Sequence, residues 1–87
     1  MARETSAVQK DMGRRMRELR RERGLTQEAF AEKLGMLAPN YARIEQGRMN
    51  VTIDTIVRIA NALGVAVAEL FKRPTTRAAR PGRPKKT

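Results

Sequence analysis

The 87-residue chain contains no cysteine and no histidine, and its only aromatic residues are Phe30, Tyr41 and Phe71. Without cysteine, neither a disulfide framework nor a cysteine-based zinc site can form. Without histidine, the commonest metal ligand and the usual acid–base group of neutral-pH catalysis are missing too. We therefore expect an aliphatic core of packed helices, with no metal, no cofactor and no enzymatic activity.

Long apolar runs are also missing from the chain. No segment approaches the roughly 20 apolar residues that a membrane-spanning helix needs. The first residues, Met-Ala-Arg-Glu-Thr-Ser, lack the apolar region of a signal peptide. We expect no membrane partner and a cytoplasmic location.

Basic residues strongly outnumber acidic ones, with 19 Lys and Arg against nine Asp and Glu and a net charge of +10. This excess makes nucleic acid the first partner to consider. Seven of the basic residues, three of the four prolines and none of the acidic residues lie from Lys72 onward. The pattern predicts a flexible N-terminus at 1–8, a folded domain at 9–72 and a disordered basic tail at 73–87.

The apolar periodicity predicts an all-α fold of five helices. Thr26 is a suitable N-cap for the second helix, and Gly35 is suited to end it. The fourth helix carries a broad apolar stripe that includes Ile53 and Val57. The predicted helices lie at about 9–23, 27–34, 38–46, 53–63 and 67–72.

The segment 27–46 carries the pattern on which a functional prediction can rest. It contains two short helices joined by a turn at Gly35, with the small Ala31 where the helices would cross and with Tyr41 and Ile44 facing inward. This combination is typical of a helix-turn-helix, whose second helix enters the major groove of DNA. An ordinary helical hairpin of a bundle satisfies the same spacing.

Several longer segments, in unbroken order over about 10–72, resemble the Cro/repressor-type (XRE-like) helix-turn-helix family. They are RELR at 17–20, GLTQE at 24–28, FAEKLG at 30–35, RIEQG at 43–47, IANALGV at 59–65 and ELF at 69–71. The resemblance implies a five-helix repressor-like domain, usually dimeric, that regulates transcription by binding operator DNA. It is strongest to small stand-alone phage repressors and restriction–modification controllers.

The resemblance also implies a recognition helix near 38–46, with base-reading positions at Ala38, Pro39, Asn40 and Arg43. The Arg43 guanidinium fits guanine bidentately, and a side chain such as Asn40 can read adenine. Ala38 and Pro39 offer only apolar contact, for example to a thymine methyl group. A phosphate contact or a solvated charge is the alternative for Arg43.

A second set of positions matches the family's contacts to the DNA backbone. Free amides at the start of the second helix suit a phosphate, although pure helix capping would also explain Thr26. Arg48 and Asn50 could equally be solvated loop residues. The predicted phosphate-binding residues are Thr26, Gln27, Tyr41, Gln46, Gly47, Arg48 and Asn50.

Two further matches concern structure. Arg20 and Glu45 match positions that form an ion pair in phage-repressor relatives, so we expect a structural pair. Leu37 stands where the family commonly has a Ser or Thr N-cap, and the hydroxyl of Tyr41, in place of Ile or Val, needs a partner such as a phosphate.

The apolar residues near the fifth helix and the basic tail complete the candidate sites. Val65, Val67, Leu70 and Phe71 are candidates for a dimer interface, unless they only close the core. The tail residues Arg80, Arg83, Lys85 and Lys86 surround a Gly-Arg-Pro sequence that looks like an AT-hook reading the minor groove. A disordered tail that binds phosphate without sequence preference is the simpler interpretation.

Three functional hypotheses follow. The first is a homodimeric transcriptional regulator that binds double-stranded DNA at an inverted repeat, encoded by a bacterium or phage and associated with the nucleoid when bound. The second is a protein-interaction module of the same fold. The third is an architectural DNA-binding protein without sequence preference, led by the tail. None of them implies a small-molecule effector.

Overall fold

The computed structural model describes residues 4–75. These residues contain four α-helices and a final 3₁₀ helix, joined by short loops. They are α1 (Thr5–Glu22), α2 (Gln27–Leu34), α3 (Ala38–Glu45), α4 (Ile53–Leu63) and the 3₁₀ helix Val67–Phe71. Residues 4–75 contain no strand, so the all-α class is confirmed. The fifth element, predicted as an α-helix, is a 3₁₀ helix, which suits a segment of only five residues without a side-chain N-cap.

Threonine caps and a left-handed glycine set the ends of the shorter helices. The Thr26 hydroxyl accepts a hydrogen bond from the Ala29 amide at 3.0 Å, and the Thr52 hydroxyl accepts one from the Thr55 amide at 3.1 Å. Gly35 ends α2 with φ +71°, a conformation that favours glycine. The turn between α2 and α3 therefore follows directly from local sequence.

The core lies between α1 and the three shorter α-helices. Edge-to-face packing of Phe30 on Tyr41, with ring centroids 5.2 Å apart, joins α2 to α3 within it. The buried apolar residues are Met12, Met16, Leu19, Phe30, Ala31, Leu34, Tyr41, Ile44, Ile56, Ile59, Ala60, Leu63 and Leu70. The core is therefore mainly aliphatic, as expected, but Phe30 and Tyr41 are its two largest fully buried side chains.

Helix α1 begins at Thr5, four residues before the predicted start at residue 9. Part of the segment predicted as a flexible N-terminus, 1–8, is therefore helical. The early turns of α1 pack on the loop that follows α3: a Cβ added to Gly47 would lie 2.7 Å from the Cα of Lys10. This contact between residues distant in sequence fixes the N-terminal part of α1 against that loop.

The crossing of α1 and α3 requires a glycine on α1. A Cβ added to Gly13 would lie 2.2 Å from the carbonyl oxygen of Glu45, which is far inside van der Waals contact. Gly13 therefore lets the backbone of α1 touch the C-terminal end of α3.

Arginine side chains tie the ends of helices to their neighbours. Arg23 donates to the Leu63 carbonyl at the end of α4 at 2.7 Å, and Arg58 donates to the Leu34 carbonyl at the end of α2. Arg15 donates to the Glu69 carbonyl of the 3₁₀ helix at 2.9 Å. Since the last carbonyls of a helix lack intrahelical partners, these guanidinium groups satisfy them.

The apolar stripe predicted on α4 is only partly buried. Ile53 is 75% exposed and Val57 is 39% exposed, whereas Ile56 and Ile59 enter the core. Residues 4–75 also include no helix with the length and apolar character needed to cross a membrane. The predicted tail residues Arg80, Arg83, Lys85 and Lys86 lie outside the described residues.

Candidate nucleic-acid interface

Helix α3 presents a polar outer face. Pro39 and Arg43 are exposed and Asn40 is half-buried. Arg43 donates through Nη1 to the Asn40 Oδ1 at 3.0 Å, so the two side chains lie side by side one turn apart. The structure therefore brings together three of the four predicted base-reading residues on an accessible surface.

The fourth predicted base-reading residue, Ala38, has a different environment. It is half-buried and packs against the hydrophobic core. The preceding residue, Leu37, is 71% exposed and gives α3 no side-chain cap. Most of the exposed apolar surface at the start of α3 therefore belongs to Leu37 and Pro39.

The inner face of α3 is held by a buried ion pair. Arg20 on α1 contacts Glu45 through two bonds, Nε to Oε2 at 2.6 Å and Nη2 to Oε1 at 3.1 Å. Gln27 of α2 adds a hydrogen bond from Nε2 to the Glu45 Oε1 at 2.9 Å. The carboxylate of Glu45 thereby connects α1, α2 and α3 at one point.

This environment keeps Glu45 charged. Burial opposes the charged form, but the hydrogen bonds of Arg20 and the other neighbouring donors outweigh it and lower the pKa of Glu45. A second cation, Arg17, lies 3.7 Å from the same carboxylate with its side chain 46% exposed. Within residues 4–75, no three acidic side chains converge in a way that could hold a metal ion.

The phosphate role expected for Tyr41 is wrong. Tyr41 is fully buried, so its hydroxyl cannot reach a DNA backbone. Burial raises the pKa of Tyr41, and the neighbouring Glu45 raises it further. Among the described residues, the hydroxyl makes no hydrogen bond of acceptable geometry. Tyr41 supports α3 through its ring.

The start of α2 offers backbone groups more than side chains. The Thr26 hydroxyl is engaged as the helix cap, and the Gln27 amide group is engaged with Glu45. The first amides of α2 have no intrahelical carbonyl acceptor, although the Ala29 amide already donates to the Thr26 hydroxyl, and the helix dipole favours an anion there. These amides are the groups at 26–27 that suit a phosphate.

Four of the predicted phosphate-binding residues lie in the segment that follows α3, and three of them are exposed. Gln46, Arg48 and Asn50 are exposed, and Arg48 donates to the Gln46 Oε1 at 3.1 Å. Gly47 is buried, and its amide donates to the Ile44 carbonyl at 3.0 Å. Gly47 therefore ends α3 and is not free to bind phosphate.

Sequence reasoning missed the role of Gln9 at this loop. Its side-chain amide donates to the Met49 carbonyl at 3.3 Å and to the Asn50 Oδ1. Because 40 residues of chain separate Gln9 from Met49, no local pattern could have indicated the contact. The contact joins the first turns of α1 to the loop that carries Arg48.

The four residues predicted for a dimer interface have different environments. Leu70 is fully buried, so it is a core residue and its assignment to an interface is wrong. Val65 is half-buried against the core. Val67 and Phe71 are 37% and 51% exposed, which leaves these two available for contact with another molecule.

Comparison with known sequences identifies a matching family model and several similar proteins. A family model described as a helix-turn-helix domain matches residues 11–71. An HTH-type transcriptional regulator of Sinorhizobium fredii, y4dJ, is 40% identical over 63 residues, which cover 72% of this chain and 82% of that protein. The control protein C.MunI of a Mycoplasma species is 35% identical over 60 residues, which cover 68% of this chain and 81% of that protein.

A phage protein and a solved structure extend the comparison. The immunity repressor of Bacillus phage phi105 is 36% identical over 64 residues, which cover 74% of this chain and 44% of the repressor. The crystal structure of the restriction-modification controller protein C.AhdI from Aeromonas hydrophila superposes with a TM-score of 0.74 at 35% identity. The match covers 79% of this chain and 100% of the C.AhdI chain.

Proposed function

Because this chain belongs to the helix-turn-helix domain family and regulates transcription by binding DNA, we propose that it reads the major groove through the outer face of α3. The observation that carries the proposal is the division of α3 into two faces. Tyr41 and Ile44 are buried behind the helix, whereas Arg43 and Asn40 stand together on the other side.

The exposed face of α3 has the chemistry of base recognition. The Arg43 guanidinium can donate two parallel hydrogen bonds to guanine O6 and N7. The contact with Asn40 holds that guanidinium in place, which lowers the conformational entropy lost on binding. We therefore assign Arg43 to sequence discrimination, with Asn40 orienting it or reading the adjacent base.

Contacts to the DNA backbone would come from both sides of α3. The first turn of α2 offers backbone amides next to Thr26, and the loop after α3 offers Arg48 and Asn50. The buried pair of Arg20 and Glu45 fixes α3 relative to α1 and α2, so that both sets of contacts can be made together.

We propose that the protein binds DNA as a homodimer on an inverted repeat, with half-sites about 10–10.5 bp apart from centre to centre. The exposed apolar residues Val67 and Phe71 support a second copy as partner, since exposed apolar surface often marks an interface. Similarity to C.MunI and C.AhdI over most of their lengths supports a setting in the control of restriction–modification genes. Its place of action would be the cytoplasm of a bacterial host.

Selection of bound sequences from random duplexes, with the full chain at moderate salt, tests this function. The expected result is an inverted repeat with a strong preference over random competitor DNA. Enrichment of no sequence would indicate an architectural protein without sequence preference. Failure to bind any duplex would overturn the DNA-binding role and favour an interaction module.

A further inference from the structure

Leu37 is an exposed leucine at the position directly before the recognition helix. Its side chain is 71% exposed, and α3 has no side-chain cap at this position. The equivalent residues of α2 and α4, Thr26 and Thr52, both cap their helices. Leucine at this position therefore gives up a helix cap and also leaves an apolar side chain in water.

The backbone holds Leu37 rigidly at the start of α3. Its carbonyl accepts hydrogen bonds from the amides of Asn40 at 3.0 Å and Tyr41 at 3.1 Å. Pro39 lies in the first turn, where its ring fixes φ. Such a side chain is presented to a partner with little loss of backbone entropy on binding.

The surroundings of Leu37 separate α3 into an apolar start and a polar second turn. Ala38 packs toward the core, so Leu37 and Pro39 supply the exposed apolar surface. Asn40 and Arg43 follow with hydrogen-bonding groups. The N-terminal end of a recognition helix is the part that approaches base edges.

We propose that Leu37, with Pro39 beside it, contacts the 5-methyl group of a pyrimidine in the major groove and is a specificity-determining residue. This inference rests on the proposed function. The thymine methyl is an apolar group that thymine presents at the base edge in the major groove, and 5-methylcytosine presents the same group. A leucine suits such a methyl because both surfaces lose water on contact.

The test uses the selected operator and the full chain. Each thymine is replaced in turn by deoxyuridine, which removes only the methyl group and keeps every hydrogen-bonding group. At the position read by Leu37 we expect about a fourfold loss of affinity, the value of one buried carbon. A second series replaces each cytosine by 5-methylcytosine and distinguishes thymine from methylated cytosine as the source of the methyl group.

Three variants separate recognition from folding. Leu37→Ser restores a capping hydroxyl without adding a methyl group and should raise the Tm, yet its affinity ratio between thymine and uracil operators should fall to about one. Leu37→Met keeps an apolar side chain and should keep the ratio. Ile53→Thr, which removes an exposed aliphatic side chain directly after the Thr52 cap, should leave the ratio unchanged.

Each outcome decides the question. Wild-type protein that binds its operator equally well with uracil at every thymine, and is indifferent to 5-methylcytosine, overturns the role of Leu37 while DNA binding itself stands. A Leu37→Ser variant that keeps full methyl sensitivity also overturns it. If a Leu37 variant changes the oligomeric state but keeps the affinity ratio between thymine and uracil operators, Leu37 makes a contact with protein and not with DNA. If the protein binds no DNA at all, this proposal and the proposed function both fail.

Discussion

At the scale of single residues, two groups of arginines within residues 4–75 differ in their contacts. Arg15, Arg23 and Arg58 donate to backbone carbonyls at the ends of helices or of the 3₁₀ helix. Arg43 and Arg48 are exposed and contact only neighbouring polar side chains among the hydrogen bonds found. Substitutions in the first group should affect stability, and substitutions in the second should affect DNA binding.

Arg43→Ala should remove discrimination at one base pair, at a cost of about 1–3 kcal/mol for the preferred base, because a bidentate contact to guanine would be lost. Arg48→Ala is the matched control, since it should weaken binding to all sequences and reduce the salt slope by about one. Affinities for operator variants at several salt concentrations measure both. If Arg43→Ala behaved like Arg48→Ala, Arg43 would be a phosphate contact.

Tyr41→Phe should leave the free energy of unfolding unchanged or raise it by up to about 1 kcal/mol, because a buried hydroxyl without a well-formed hydrogen bond costs free energy. Tyr41→Ala should lower it by about 3–5 kcal/mol through loss of the ring. Chemical denaturation measures both variants. A large decrease in the free energy of unfolding of Tyr41→Phe would show that the hydroxyl bonds to Glu45. A reduced salt slope of DNA binding for this variant would show that the hydroxyl contacts a phosphate.

At the scale of elements, the crossing of α1 over α3 determines where the recognition helix lies. Gly13 permits backbone contact at this crossing, and Arg20 and Glu45 join the two helices beside it. Gln9 continues the contact to the loop after α3. Changes on α1 should therefore affect α3 although they are distant from any expected DNA contact.

Gly13→Ala should lower the free energy of unfolding by about 1–3 kcal/mol, because the added carbon overpacks the contact with the Glu45 carbonyl. Helix propensity alone predicts a gain of up to about 1 kcal/mol, which is the opposite sign. Thermal unfolding followed by circular dichroism measures the change. In a Gly24→Asn control the added Cβ has nothing within 4 Å. The free energy of unfolding should therefore fall by about 1 kcal/mol or less, from the left-handed backbone conformation alone. A more stable Gly13→Ala would show that the helices separate without cost.

Arg20→Ala should lower the free energy of unfolding by about 3–5 kcal/mol, because it leaves the buried Glu45 carboxylate without its main partner. Arg17→Ala removes a cation from the same carboxylate but from an exposed position, and it should cost no more than about 1 kcal/mol. Urea denaturation compares the two. Equal effects would mean that the buried pair is not the dominant contact.

The same pair predicts a dependence of stability on pH. Because the folded state lowers the pKa of Glu45, its contribution is complete above the ordinary glutamate value of about 4.3 and is lost as the pH falls through the lower folded value. Glu45→Gln should therefore show a flatter stability profile than wild-type protein below about pH 4. Glu69→Gln, at a more exposed carboxylate whose pKa Lys72 and Arg15 also lower, should flatten the profile less than Glu45→Gln does, because solvent screens its ion pairs.

At the scale of the whole molecule, the proposed dimer would bury the exposed apolar side chains of Val67 and Phe71. Phe71→Asp should weaken dimerisation at least tenfold, because burial of a large apolar side chain is worth about 1.5–3 kcal/mol. Leu70→Ala, one residue away in the core, should instead lower the free energy of unfolding by about 2–5 kcal/mol. Sedimentation and thermal unfolding measure the two effects, and an unchanged association constant for Phe71→Asp would exclude this surface.

The sequence by itself determined the order of the elements and the face of α3 that points outward. Its apolar spacing, threonine caps and glycine at the turn are local signals, and each acts within a few residues of the structure that it specifies. For this reason α2, α3 and the turn at Gly35 could be predicted, together with the outward position of Arg43. The assignments in the tail stay predictions.

Only the tertiary structure decided which predicted residues are free to act. Gly47 and Leu70 matched functional positions, but packing between distant segments buries them. The contact of Gln9 with Met49 was equally hidden, since its two partners lie 40 residues apart in the chain. Burial depends on what another part of the chain places over a residue, and no local spacing carries that information.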